Sequence, residues 1–271
     1  MIPGTPAEKR LRFASCGHVA FAVTMIAFGV FGLVKGNFTP LWSGVPKGLP
    51  VREALAYCCA FIAVASGVGL LWPRTASIAA RALFTSFVIW LLVFRAPLIF
   101  RAPFVTVTWW ACGETATMVA AAWVLTVRFP GGRVGNESFI GGHTGLSIAR
   151  SLYGLALIPF GVAHFTYLER TVGMVPAWLP WHVAWAYFTG AALIAAGVAI
   201  VVGIYAHLAA VLSAVELGLF TVLVWIPIIA AGANASDWSE FVASWLLTAA
   251  AWVVADSYRG TSWLAKGRTI P

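Results

Sequence analysis

Charge is scarce in this chain. Of 271 residues, 17 are Lys or Arg and 9 are Asp or Glu, so only 10% carry charge. A water-soluble domain carries about a quarter. The shortfall leaves too little charge to coat a water-facing surface, which excludes an ordinary cytosolic enzyme and a disordered chain. Cysteine is sparse too. Cys16, Cys58, Cys59 and Cys112 include no C-x-x-C pair, which removes a thioredoxin-like or zinc-ribbon motif and a secreted disulfide scaffold. The adjacent Cys58 and Cys59 read as small helix-packing residues. No G-K-[ST] occurs, so there is no phosphate loop. What the chain has instead is hydrophobicity: 61% apolar residues and a mean hydropathy of +0.89. That composition predicts an all-α integral membrane protein.

A membrane-crossing helix needs ~20 mostly apolar residues. Eight such runs occur, at 14–34, 53–72, 76–94, 104–127, 148–167, 182–203, 206–230 and 238–257. The N-terminal MIPGTPAEKRLRFASC resembles a signal n-region, but the apolar run after it is too long for an h-region, so an uncleaved first span is expected. Gly203 is the expected break between the sixth and seventh runs. Eight spans put both termini on one side, and eleven of the seventeen Lys and Arg residues fall there. The positive-inside rule then predicts cytoplasmic termini. The net charge of +8 is spread over short loops rather than gathered on one face, so it argues for membrane orientation and not for nucleic acid. The Asn136-Glu137-Ser138 sequon falls on the predicted cytoplasmic side, where it carries no meaning for glycosylation.

The chain repeats itself. VPKGLP at 45–50 answers VPAWLP at 175–180, and Ala56-Tyr57, Gly67 and Pro97 answer Ala186-Tyr187, Gly197 and Pro227 at the same offset of 130. FGVFGL at 28–33 answers FGVAHF at 160–165, and AAAWVL at 120–125 answers AAAWVV at 249–254. The expected organisation is two four-span units, 1–127 and 148–271, joined by a Gly-rich linker at 128–147, with a basic C-terminal tail. An even number of spans makes the units parallel, so the expectation is two parallel-repeat four-helix bundles.

The candidate site residues lie where the repeat breaks. Two prolines four apart cannot continue a helix, so the segments holding Pro46 and Pro50, and Pro176 and Pro180, are expected either to cap the bundles as lids or to form rigid turns. The second unit adds His164, Tyr167, Trp178, Trp181 and His182 around its segment, where the first has Gly32 and Arg52 opposite the two histidines. If the loop folds back, both histidines face one pocket; otherwise the aromatics form an interfacial belt. Glu114 and Glu216 fall well inside the fourth and seventh spans, where an ionisable group is costly and marks either function or a satisfied structural contact. The repeat puts Ser244 and Ser86 opposite them. Arg81 is a candidate partner for these acids, or it snorkels to the cytoplasmic surface. Arg95, in RAPLIFRAP, falls at the outer edge as an anchor or an anion contact. No metal-ligand spacing, haem-ligand pair or flavin motif is present.

FGVAHF, VPAWLP, His182, WAYFTG at 185–190 and the Gly/Ala-rich run to Gly203 resemble the DoxX-like membrane protein family. GNFTPLW at 36–42, VPKGLP and GLLWP at 69–73 look like a diverged copy in the first half. The resemblance covers most of 20–256. It implies a four-helix membrane bundle per unit, in a bacterial inner membrane. It also implies a redox-associated subunit, quinone-linked and working with a partner oxidoreductase that supplies the redox centre. Other relatives are similar to assembly chaperones. The alternatives are therefore a non-catalytic chaperone, anchor or assembly factor, and then a small-solute or lipid transporter. Whether the chain is an enzyme, and in what oligomeric state it works, are open at this level.

Overall fold

The computed structural model describes residues 15–130, 140–232 and 234–267. The basic residues Lys9, Arg10, Arg12 and Arg268, and linker residues 131–139 with Arg133 and the sequon, lie outside these ranges. Among the described residues, eight helices are long and apolar enough to cross a membrane. They are α1 (Cys16–Lys35), α2 (Arg52–Leu71), α3 (Ala76–Arg101), α4 (Thr106–Arg128), α5 (Gly142–Thr166), α6 (His182–Val202), α7 (Ala206–Ala230) and α8 (Ala235–Asp256). Among the described residues no strand forms beyond one isolated bridge, Ile204 to Lys266. The protein is an all-α integral membrane protein, and its rim of exposed Phe61, Phe100, Phe104 and Phe188 is a surface for lipid.

The helix ends follow from local chemistry. Ser15 caps α1 by accepting from the His18 N–H at 3.3 Å, and Gly36 ends it at φ +60°, where an L side chain is strained. Gly203, at φ +83°, ends α6. Asn234 and Asp237 form a reciprocal capping box at the start of α8. The third span is longer than its apolar run. It continues through Pro97 to Arg101 because Leu91–Arg95 widens into a π-helix. Phe220–Trp225 does the same ahead of Pro227 in α7. Proline lacks the N–H for the ladder and crowds the carbonyl four residues back, and a wider turn makes room for both defects.

The repeat is written into the packing. A Cβ on Gly29 would lie 2.6 Å from the Ala60 carbonyl oxygen and 2.5 Å from Val64, and one on Gly161 would lie 2.4 Å from the Gly190 oxygen and 2.6 Å from Ile194. One on Gly67 would lie 2.7 Å from Ile26, and one on Gly197 3.0 Å from Ile158. The α1–α2 and α5–α6 pairs thus share one register, with backbones in contact at equivalent glycines. The halves also share their core. α4 packs on α3, α5 and α8, and α8 packs on α7, α1 and α4, so α1 leans on the second unit and α5 on the first.

At the end carrying the termini, Asp256 accepts from the Gly17 N–H at 3.0 Å and pairs with Arg259 at 2.8 Å. Arg150 donates to Ser257 and lies over the Tyr258 ring at 3.8 Å, and His207 stacks on Trp263 at 4.2 Å. These contacts tie the C-terminal tail across α1, α5 and α7.

Candidate functional site

The opposite, distal end differs between the units. In the first, the loop after α1 turns inward. Gly36 stops the helix, and Asn37 then fixes the turn through its Oδ1, which accepts from the Phe38 N–H at 2.9 Å and from Arg52 Nη1 at 3.1 Å. A 3-10 turn at Pro40–Trp42 drives Leu41 and Trp42 into the bundle, 6% and 2% exposed. Trp42 stacks on Phe87 at 5.1 Å and meets Trp90 edge-on at 5.0 Å. The next residue, Ser43, is gripped twice. Its carbonyl accepts from Trp90 Nε1 at 3.1 Å, and its hydroxyl accepts from Arg95 Nη2 at 2.5 Å. Gly44, at φ +96°, lets the chain pass the guanidinium, since a Cβ there would lie 3.3 Å from Arg95 Nη1.

Arg95 is therefore an interior residue, with its side chain 8% exposed. Its Nη2 lies 3.9 Å from Glu114 Oε2, and its Nε–H is buried with no partner. Glu114 follows the start of α4 by about 12 Å of helix, just on the distal side of its midpoint. Arg95, not Arg81, is its cation: Arg81 makes no ion pair among the described residues. Beside the pair lies a narrow cavity of about 20 Å³, walled by Leu41, Met118, Leu246 and Leu247. A volume of that size holds one water. A larger cavity of about 260 Å³ opens above the tucked loop.

The residues of the second unit are more dispersed. His164 is half-buried on α5; its Nδ1 is 2.9 Å from the Phe160 carbonyl, and its ring stacks on Phe220 at 5.6 Å. It fits there because Gly190 faces it: a Cβ on Gly190 would lie 2.7 Å from the His164 Cβ. His182 opens α6, and among the described residues no hydrogen bond or ring contact joins it to His164. Tyr167 ends α5 half-buried, while Trp178, Trp181 and Pro180 are exposed and Pro176 is half-buried. Pro46 and Pro50 are exposed as well. Both proline segments turn the same way, the Pro46 carbonyl accepting from Leu49 N at 3.4 Å and the Pro176 carbonyl from Leu179 N at 2.9 Å. The segment that plugs a mouth is thus Pro40–Trp42, ahead of the first proline pair.

The interior of the second unit carries its own polar groups. Tyr153 shares a 2.9 Å hydrogen bond with Ser213. Glu216, one turn on and ten residues into α7, has a buried Oε1 with no hydrogen-bond partner. Past it, Thr221 bonds Ser244 at 2.8 Å and Thr248 at 3.1 Å. Glu114 and Glu216 thus lie at similar depth in different environments: Glu114 is ion-paired under the tucked loop, and Glu216 has no ion pair among the described residues.

Thr39, Trp42, Ser43 and Arg52 are the functional candidates that sequence reasoning passed over. The available signal was FTPLWSG, an aliphatic–aromatic pair placed in a loop between two spans. No family model, no curated protein and no solved structure matches the chain.

Proposed function

We propose that this protein is the membrane subunit of a redox assembly in a bacterial inner membrane, with both termini cytoplasmic. In this reading it binds a quinone headgroup at the distal mouth of its first unit, and a partner oxidoreductase supplies the redox centre. The family and its chemistry rest on the DoxX-like motifs. The supporting observation in the structure is the Arg95–Glu114 pair, set under the Pro40–Trp42 segment with an unused Nε–H. A guanidinium N–H donates to a carbonyl oxygen, and a carboxyl beside it holds or gives up a proton. Leu41, Met118, Leu246 and Leu247 supply an apolar wall for a ring. The present space admits a water and not a ring, so binding requires the Pro40–Trp42 segment to move outward.

That same plug favours a second reading, in which the protein is a non-catalytic anchor or assembly factor and Arg95 only pins the loop. One experiment separates the two. Protein purified in maltoside detergent is extracted with organic solvent and the extract analysed by mass spectrometry, for wild type and Arg95→Gln. The redox reading expects a quinone near one per chain in wild type and its loss in the variant. Bulk phospholipid alone in both would overturn it in favour of the anchor.

A further inference from the structure

The larger cavity above the tucked loop has a lining in which polar groups outweigh apolar ones. It holds about 260 Å³, and its walls include Asn37, Thr39, Trp42, Ser43 and Arg52 from the loop and α2, with Ser239 from α8. Not one of the lining residues is acidic. Three of them carry a buried polar group with no partner: the Thr39 hydroxyl, the Trp42 indole N–H and the Arg52 Nε–H. Thr39 and Trp42 are 4% and 2% exposed, so these groups lie behind the cavity wall, and a ligand meets them only once the lining side chains shift. A buried donor left unmade costs free energy, and three around one cavity is a high concentration of unmet demand.

Two of the neighbouring acids are already paired, and Glu53, next to Arg52 in sequence, is exposed. Arg170 pairs with Glu240 at 3.5 Å, and Glu114 with Arg95. Arg52 spends Nη1 on Asn37 and lies over the Phe38 ring at 5.0 Å, which orients the guanidinium but leaves its charge without a carboxylate among the described residues. Arg95 adds a second guanidinium behind Ser43. A pocket with donors on several walls, a cation at its rim and no acid calls for a ligand rich in acceptors. A tetrahedral oxyanion meets that demand better than a planar carboxylate, because its oxygens point in several directions.

We infer that this distal cavity is a binding site for a phosphate-type group, held by Arg52, Thr39 and Trp42. Two sources share that chemistry, free inorganic phosphate and the headgroup of a phospholipid in the distal leaflet. The site lies on the other side of the loop from the Arg95–Glu114 pair that carries the quinone reading, and the two share Pro40.

The test uses the full chain, stripped of lipid in maltoside detergent. One arm titrates inorganic phosphate by calorimetry. The other supplies phosphatidylglycerol or diacylglycerol in mixed micelles and counts retained lipid by native mass spectrometry. Arg52→Gln and Thr39→Val are compared with wild type and with Arg170→Gln, whose cation is already paired on the same face. Thr39→Val keeps the shape and removes only the hydroxyl, and circular dichroism verifies the fold of each variant. Binding in either arm should fall about tenfold in Arg52→Gln and measurably in Thr39→Val, with Arg170→Gln unchanged. Saturable phosphate binding assigns the free anion. Retention of phosphatidylglycerol over diacylglycerol assigns the headgroup. No binding in either arm would overturn the inference, as would equal losses in Arg52→Gln and Arg170→Gln, or wild-type binding in both Arg52→Gln and Thr39→Val.

Discussion

The two halves of this protein agree in their backbones and disagree in their polar groups. Gly29 and Gly67 on one side, and Gly161 and Gly197 on the other, bring their helix pairs together at equivalent points. Tyr57 and Tyr187 face outward to similar extents, beside equally buried Ala56 and Ala186. Yet the first unit holds a charged pair under a tucked loop, while the second lines its interior with the uncharged Tyr153, Ser213 and Thr221 and the unpaired Glu216 oxygen. Where helices touch through backbone, a duplicated sequence has few alternatives, because any Cβ collides. Loop tips and interior polar positions are free of that constraint, so the halves differ there, and the candidate sites lie there.

The largest effects should come from breaking the shared part. Gly161→Ala and Gly29→Ala each place a methyl against a carbonyl oxygen of the facing helix. Each should cost about 2 kcal/mol or more, and by similar amounts, in equilibrium unfolding in detergent. Gly173→Ala meets open space and is the control. Tolerance of Gly29→Ala alone would show that the two pairs do not pack alike.

The next effect should be confined to the first unit. Arg95→Met leaves Glu114 without its cation and Ser43 without its donor. Breaking a fully buried pair costs about 3 kcal/mol or more, but Glu114 is 27% exposed, so about 2 kcal/mol is expected. Adding Glu114→Gln should recover most of that loss, since no lone carboxylate remains. Failure of the second substitution to recover stability would mean that Ser43, and not Glu114, is the important partner of Arg95.

How far the sequence foretold this depends on the range of the interaction. The spans were legible because crossing a bilayer demands ~20 apolar residues in a row, a local property. The break at Gly203 was legible for the same reason. The repeat was legible because equivalent glycines and prolines keep their spacing. The partner of Glu114 was not, since Arg95 looked like a surface anchor until α3 was seen to extend through its π-segment to Arg101. Nor was the burial of Trp42, which depends on Phe87 and Trp90 about 45 residues away and on no local period. The prolines at 46, 50, 176 and 180 drew attention to the turn, while the residue that descends into the bundle stands just before it.

A smaller effect belongs to the interior of the second unit. Thr221 is the shared partner of Ser244 and Thr248, and the repeat puts Leu91 in its place in the first unit. Thr221→Val removes the hydroxyl and keeps the shape. Hydrogen bonds between membrane helices average about 0.6 kcal/mol, so a loss near 1 kcal/mol is expected for the two. A loss well above that would mean that the three hydroxyls and Glu216 act as one network.

The smallest effect should come from rewriting one half into the other. In the first unit Gly32 faces Ala60; in the second, His164 faces Gly190, with the large and small residues exchanged. Gly190→Ala alone crowds the His164 Cβ and should cost about 2 kcal/mol. Adding His164→Gly recreates the Gly32–Ala60 pair and should return stability to within about 1 kcal/mol of wild type: among the described residues the imidazole hydrogen-bonds only the carbonyl of its own helix, and the lost Phe220 contact and the helical glycine account for the remainder. That near-neutral double variant isolates what the histidine does beyond packing. If it folds like wild type and retains quinone in the extraction experiment, His164 fills space left by Gly190. If it folds like wild type and loses quinone, the second unit contributes to the site, and the asymmetry between the halves is a division of labour rather than drift.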